Sequence, residues 1–277
     1  GRAVAHVHTL FNLALAVLFL PLLGPFAGFL RWLLPDRADA ADPARPLYLD
    51  PAARETPIVA LGGAAREALR LADVLEEMLR GARTVLAEGN RRQIGETRRL
   101  DDVLDSLNTA IKAYLTSIDP DELGEADHHR LNAILAFAMN MEQAGDVVYL
   151  NLLPHAAKRL KRGLSLVQPG NTELLGMLDR LIANLRAAAA LFMTEDLRAA
   201  RLLAAEKVAF RTAEGSATEA HFARLRSGQL DSAQTSALHL DLLRDMKQIN
   251  SHIVAAAAYP VLERRGELLP SRMAEGG

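Results

Sequence analysis

Residues 10 to 30, "LFNLALAVLFLPLLGPFAGFL", run for 21 positions without a charged side chain. A chain buried in lipid must satisfy its own backbone hydrogen bonds, which leaves a helix or a closed barrel. At about 1.5 Å per residue this run is long enough to cross a hydrocarbon core of about 30 Å. It therefore predicts a transmembrane helix within residues 1–35. Pro21 and Pro25 would kink it and Asn12 would want a polar partner, so the helix is expected to pack against other membrane helices. Trp32 suits an interface, and Arg31, Arg37 and Arg45 favour a cytoplasmic location for the residues C-terminal to the run. A secretory signal peptide and a buried core helix are the competing readings of the same run. The first residue is Gly1, not Met, and the expectation is a fragment of a longer protein.

Composition narrows the classes. The 277 residues are 50% hydrophobic with a net charge of -2, and no basic stripe is present, so no nucleic-acid partner is expected. Cysteine is absent, which removes disulfides, thiolate metal sites and cysteine nucleophiles.

Residues 36–56 hold several prolines and short polar residues and read as a surface linker. Beyond them the three-and-four spacing of apolar residues takes over. Leu61, Ala68, Ala72, Leu75, Leu79, Ala82 and Leu86 mark one helix, stopped by Gly89-Asn90. Leu100, Leu104, Leu107, Ile111, Tyr114 and Ile118 mark a second. Leu131, Ile134, Ala138, Met141, Gly145, Val148 and Leu152 mark a third, over about 122–162. Three more helices are predicted at 173–194, 196–226 and 232–264, after the break "VQPGNT". Placing Met141-Glu142-Gln143 over Met246-Lys247-Gln248 gives an internal offset of 105 residues. The fold class is all-α: one membrane helix, then a tandem of two three-helix bundles at 57–166 and 167–277.

"MEQAGDVVYLNLLP" puts Glu142 and Asp146 one helical turn apart, on a stripe shared with Leu135, Met139, Tyr149 and Leu153. Like charges held together on a half-apolar stripe call for a cation, a basic side chain or a proton. Oxygen ligands suit magnesium, manganese, calcium or iron. Asp101, Asp102 and Asp105 border the preceding helix's apolar stripe and could face the pair. The alternative for both sets is a solvated helix face. In the second half, Asp241, Arg244, Asp245, Asn250 and His252 form a dense polar stretch, with a salt-bridged surface as its alternative. Glu125-x-x-His128 has di-iron spacing but no second copy, and no phosphate-cradling loop or nucleophile elbow occurs. No enzyme activity is expected.

"ILAFAMNMEQAGDVVYLNLLPHAAK" resembles the signature helix of PhoU-like domains, whose Glu-x-x-x-Asp motif supplies carboxylates to a metal site. Glu142 and Asp146 match that motif, whereas Lys247 and Ser251 stand at the corresponding second-half positions. "HTLFNLALAVLFLPLLGP" is similar to the last membrane helix of bacterial sodium/phosphate cotransporters, and "YLDPAARETPIVAL" resembles that family's connector. The resemblance implies the C-terminal part of a sodium-dependent phosphate transporter in a bacterial inner membrane, with a cytoplasmic PhoU-like domain that regulates transport. It implies a divalent metal on Glu142 and Asp146, and sodium and phosphate bound by upstream membrane helices; Asp101 and Asp105, if they face that pair, would join it in holding the metal or a basic partner. Its partners would be the bilayer, those upstream helices and a cytoplasmic regulatory protein. The rival expectation is a membrane-tethered or free PhoU-like adaptor that represses phosphate signalling by binding another protein.

Overall fold

In the computed structural model the described residues are 6, 8, 10–13, 15, 17, 19, 42–162, 170–228 and 230–267. They fall into two units, Gly1–Asp42 and Pro43–Gly277. In the first unit, the described residues from 6 to 19 are helical, and Leu10, Phe11, Leu13, Val17 and Phe19 are all exposed. Among the described residues no helix is long and apolar enough to cross a membrane. Most of the span expected at 10–30 lies outside the described residues, so the expected transmembrane helix finds no support in them.

The second unit contains α1 (Pro57–Glu88), α2 (Arg91–Thr116), α3 (Glu125–Val147), α4 (Leu153–Lys161), α5 (Gly170–Thr194), α6 (Leu197–Arg226) and α7 (Leu230–Arg264), with no strand among the described residues. Gly89 in the left-handed conformation ends α1, and the Asn90 side chain accepts the Arg92 N–H to start α2. The helix expected at 122–162 is divided. A wider π turn, Val148–Leu152, separates α3 from α4 just before Pro154. Pro154 lacks the N–H that the Leu150 carbonyl would otherwise bond, and the wider turn makes room for its ring.

α1, α2 and α3 pack together, as do α6 with α7 and α5 with α7. α3 also lies on α7 and α1 on α5, so both halves feed one continuous apolar core. Leu71, Leu75, Leu104, Leu107, Phe137, Leu178, Met246 and Ile249 are buried in it. Each such side chain contributes roughly 1.5 to 3 kcal/mol through the apolar surface it removes from water. Phe137 stacks on Phe192 with ring centroids 4.2 Å apart, joining α3 to α5. At the surface, Arg83 pairs with Asp179 at 2.6 Å and Arg186 with Glu76 at 2.7 Å, which sets α1 in register against α5. These exposed pairs contribute little stability but do fix alignment.

The stretch expected as a linker is, from Pro43 onward, a strap laid on α1. Glu67 has no exposed side-chain surface, and its Oε2 accepts the N–H groups of Leu47 and Tyr48 at 2.8 Å each. Arg70 bonds Glu67 and donates to the carbonyls of Arg45 at 3.0 Å and Pro43 at 2.8 Å. Farther along, the Tyr114 hydroxyl donates to the Asp50 carbonyl at 2.8 Å, and Arg66 lies over the Tyr48 ring. Gly63 allows this closeness: a Cβ there would stand 2.4 Å from the Tyr48 carbonyl oxygen.

Candidate functional site

The stripe that carries Glu142 and Asp146 proves to be the half-buried edge of α3. Ile134, Phe137, Ala138, Met141 and Ala144 point into the core, while Leu135, Glu142, Asp146 and Tyr149 sit at its margin. Gly145, between the two acids, lies against α2. A Cβ at Gly145 would meet Leu104 Cδ1 at 2.6 Å, so the glycine leaves room for that methyl group where α3 lies close on α2. Leu104 is flanked on α2 by Asp101 and Asp105, and that approach sets the two acidic pairs against each other.

Their electrostatics show the juxtaposition. Burial pushes the Asp101 carboxyl up to about 6, with further contributions from Asp105, Asp146, Asp102 and Glu142. Glu142 is raised by burial and then by Asp146, with Lys112 opposing. Asp146 is raised by burial and then by Asp105, with His252 opposing. None of Asp101, Asp105, Glu142 and Asp146 makes an ion pair or side-chain hydrogen bond with another described residue. The four form an anionic face whose charge is largely uncompensated.

An oxygen-only donor set with this excess of negative charge fits a hard divalent ion chemically. The positions are another matter: among the described residues no three carboxylate or imidazole side chains come together as a preformed metal cage. The face is therefore suited to a cation that keeps part of its water, or to a basic side chain from outside.

The second-half polar stretch does not gather at one place. Asp241 and Arg244 pair at 3.4 Å on the surface. Asp245 is buried against α4, 2.6 Å from His155 Nδ1; its carboxyl is raised by burial, and the histidine opposes the rise. Asn250 is fully buried and accepts from Asn184 Nδ2 at 2.9 Å. His252 faces α3, 3.4 Å from Asn140 Oδ1, and its imidazole is lowered by burial, with Asp146 opposing. A cleft of about 300 Å³ lies there, lined by Asp146, His252, Gln143, Asn151 and Gln248, with the π turn at its rim. His252 is thus joined to the first-half acids and separated from its neighbours in sequence.

The 105-residue offset exposes a contrast. Glu142 corresponds to Lys247, which pairs with Glu214 of α6. Asp101 corresponds to Glu206, which accepts from Arg180 Nη2 and, at 3.1 Å, from Asn184. At these matched positions the second half pairs its charges, whereas Asp101 and Glu142 in the first half have no ion-pair partner among the described residues. Sequence reasoning missed Glu67, His155 and Glu206, because each finds its partner far along the chain.

The architecture is that of a PhoU-like all-helical protein. PhoU from Pseudomonas aeruginosa has the same fold, with a TM-score of 0.66 at 16% identity over 74% of this chain and 97% of that one. A sequence model described as the PhoU domain matches residues 68–149, which include both acidic pairs. The chain is 36% identical over 267 residues to the "Putative inorganic phosphate export protein YjbB" of Escherichia coli (strain K12), covering 96% of this chain and 49% of that protein. The protein of the same name from Salmonella typhimurium (strain LT2) is 35% identical over 264 residues, 95% of this chain and 48% of its own. The chain spans about half the length of the curated relatives it matches.

Proposed function

We propose that residues 43–277 form the regulatory PhoU-like part of a longer bacterial protein that moves inorganic phosphate across the plasma membrane. The observation that carries this reading is the 36% identity to YjbB along 96% of the chain, through the uncharged run, the connector and both helical halves. The relatives' name gives export as the direction. Sodium coupling rests on the likeness of residues 8–25 to the last membrane helix of sodium/phosphate cotransporters. Residues 10–30 would be a membrane-spanning helix, a role that rests on their uncharged length and on the likeness to that cotransporter helix. Phosphate and sodium would bind in upstream helices, and no catalytic step is assigned to this chain.

In this reading the anionic face is the sensing surface. Asp101, Asp105, Glu142 and Asp146 would hold a divalent ion or dock a basic segment of a cytoplasmic protein, which supplies the missing positive charge. Loading the face relieves repulsion between α2 and α3, and it favours whichever arrangement brings the acids closer. The strap on α1 ties that bundle to the chain leading back to the membrane.

Reconstitution tests the transport half of the proposal. The full-length parent, placed in phosphate-loaded liposomes, is expected to release phosphate at a rate that depends on a sodium gradient. Release that ignores sodium would remove the coupling, and no release above protein-free liposomes would remove the transporter and favour an adaptor.

A further inference from the structure

The most unusual backbone among the described residues is that of Glu195, the one non-glycine residue there with a positive φ, at 52°. It follows Thr194, the last residue of α5, and its N–H bonds the Leu191 carbonyl at 2.8 Å. Glycine is the usual occupant of this capping position, since a Cβ there costs on the order of 1 kcal/mol. Here the position carries a carboxylate instead.

That carboxylate lies between two arginines from different helices. Arg264 of α7 bonds it directly, and Arg130 of α3 stands 3.6 Å away. Arg130 also donates to the Phe192 carbonyl at 2.9 Å and lies over the Phe192 ring at 4.5 Å. Burial lowers Arg130's proton affinity, with Glu195 opposing the effect and Arg264 adding to it. All three residues line a cavity of about 390 Å³ whose floor is apolar, with Ala133, Leu191, Ala257 and Val261 among its walls. This size and makeup, an apolar floor with a few converging polar groups, suit a small organic ligand.

We infer that this cavity binds a small carboxylate with an apolar body, its carboxylate taking the place of Glu195 between Arg130 and Arg264. Glu195 already shows the geometry, because Arg264 bonds its carboxylate and the Arg130 guanidinium stands 3.6 Å from it. It is partly exposed and ends a helix, so it can swing into water when displaced. Glu263 at the rim adds a further acid, which selects a singly charged group over a polyanion. The cavity is bounded by α3, α5 and α7, so an occupant would brace the first half of the bundle against the second.

Calorimetric titration of the full chain in detergent with benzoate, acetate and inorganic phosphate tests this. Benzoate is expected to bind at least about tenfold more tightly than acetate. Glu195→Gln, which removes the competing charge, should tighten benzoate binding about tenfold, and Glu195→Gly should tighten it likewise. Arg264→Gln, a change at the surface, should weaken it about tenfold or more. Equal affinity for benzoate and acetate, weaker binding by Glu195→Gln, or binding of inorganic phosphate without benzoate would overturn the assignment. Because the readout is binding by this chain alone, its failure would leave the phosphate-transport reading standing.

Discussion

The carboxylate of Glu67 holds the backbone N–H of Tyr48 at 2.8 Å, from a position with no exposed side-chain surface. The same oxygen takes the neighbouring Leu47 N–H, and Arg70 grips the other oxygen and the strap together. Glu67→Ala would leave two amide N–H groups without their acceptor and the Arg70 guanidinium without its carboxylate. The expected cost is about 2 to 4 kcal/mol in urea unfolding. Limited proteolysis should then cut first within residues 43–56.

Two adjacent glycines give opposite expectations. A Cβ at Gly63 collides with the Tyr48 carbonyl, whereas a Cβ at Gly62 meets nothing within 4 Å. Gly63→Ala should destabilise by about 1 to 3 kcal/mol, because backbone must move. Gly62→Ala, inside the same helix, should stabilise by about 0.5 to 1 kcal/mol. Paired urea titrations would read both.

Asp101 makes stability depend on pH in a stated direction. Its carboxyl is raised from 3.8 to about 6, so above pH 6 it is ionised in both states and the folded state bears the penalty. The penalty shrinks as pH falls through about 6 and is gone below 3.8. Asp101→Asn should therefore stabilise by roughly 1 to 2 kcal/mol at pH 8 in chelator, and by almost nothing at pH 4. A destabilised variant at pH 8 would contradict the uncompensated face.

The anionic face should respond to divalent cations. Magnesium, manganese or calcium at a hundred times the dissociation constant should add about 2.7 kcal/mol of stability. Asp146→Ala should remove most of that gain in a thermal-shift measurement. An unchanged melting temperature in all three metals would leave a basic partner as the face's counter-charge.

Much of the helical fold is written locally. Apolar residues at three-and-four spacing mark α1, α2 and α5 to within a few residues, because one buried face is all a bundle helix requires. The two acidic sets were legible as edges that could face one another, since i, i+4 carboxylates beside an apolar stripe fall at its margin. What stayed hidden depends on distant partners. Glu67 reads as an ordinary charged helix residue, yet it bonds amides 19 and 20 positions upstream. His155 and Asp245 are 90 residues apart, and Arg130 and Glu195 meet only once three helices have packed. The acidic pairs meet where Gly145 makes room for Leu104, and that contact has no local signature.

On the proposed reading, the helical part controls phosphate movement by its parent protein. Phosphate efflux from bacterial cells preloaded with labelled phosphate tests it, comparing the full-length parent with a version ending after residue 35. A truncated protein that still moves phosphate, at a clearly altered rate, is the predicted result. Identical efflux from the two at equal abundance in the membrane would contradict it.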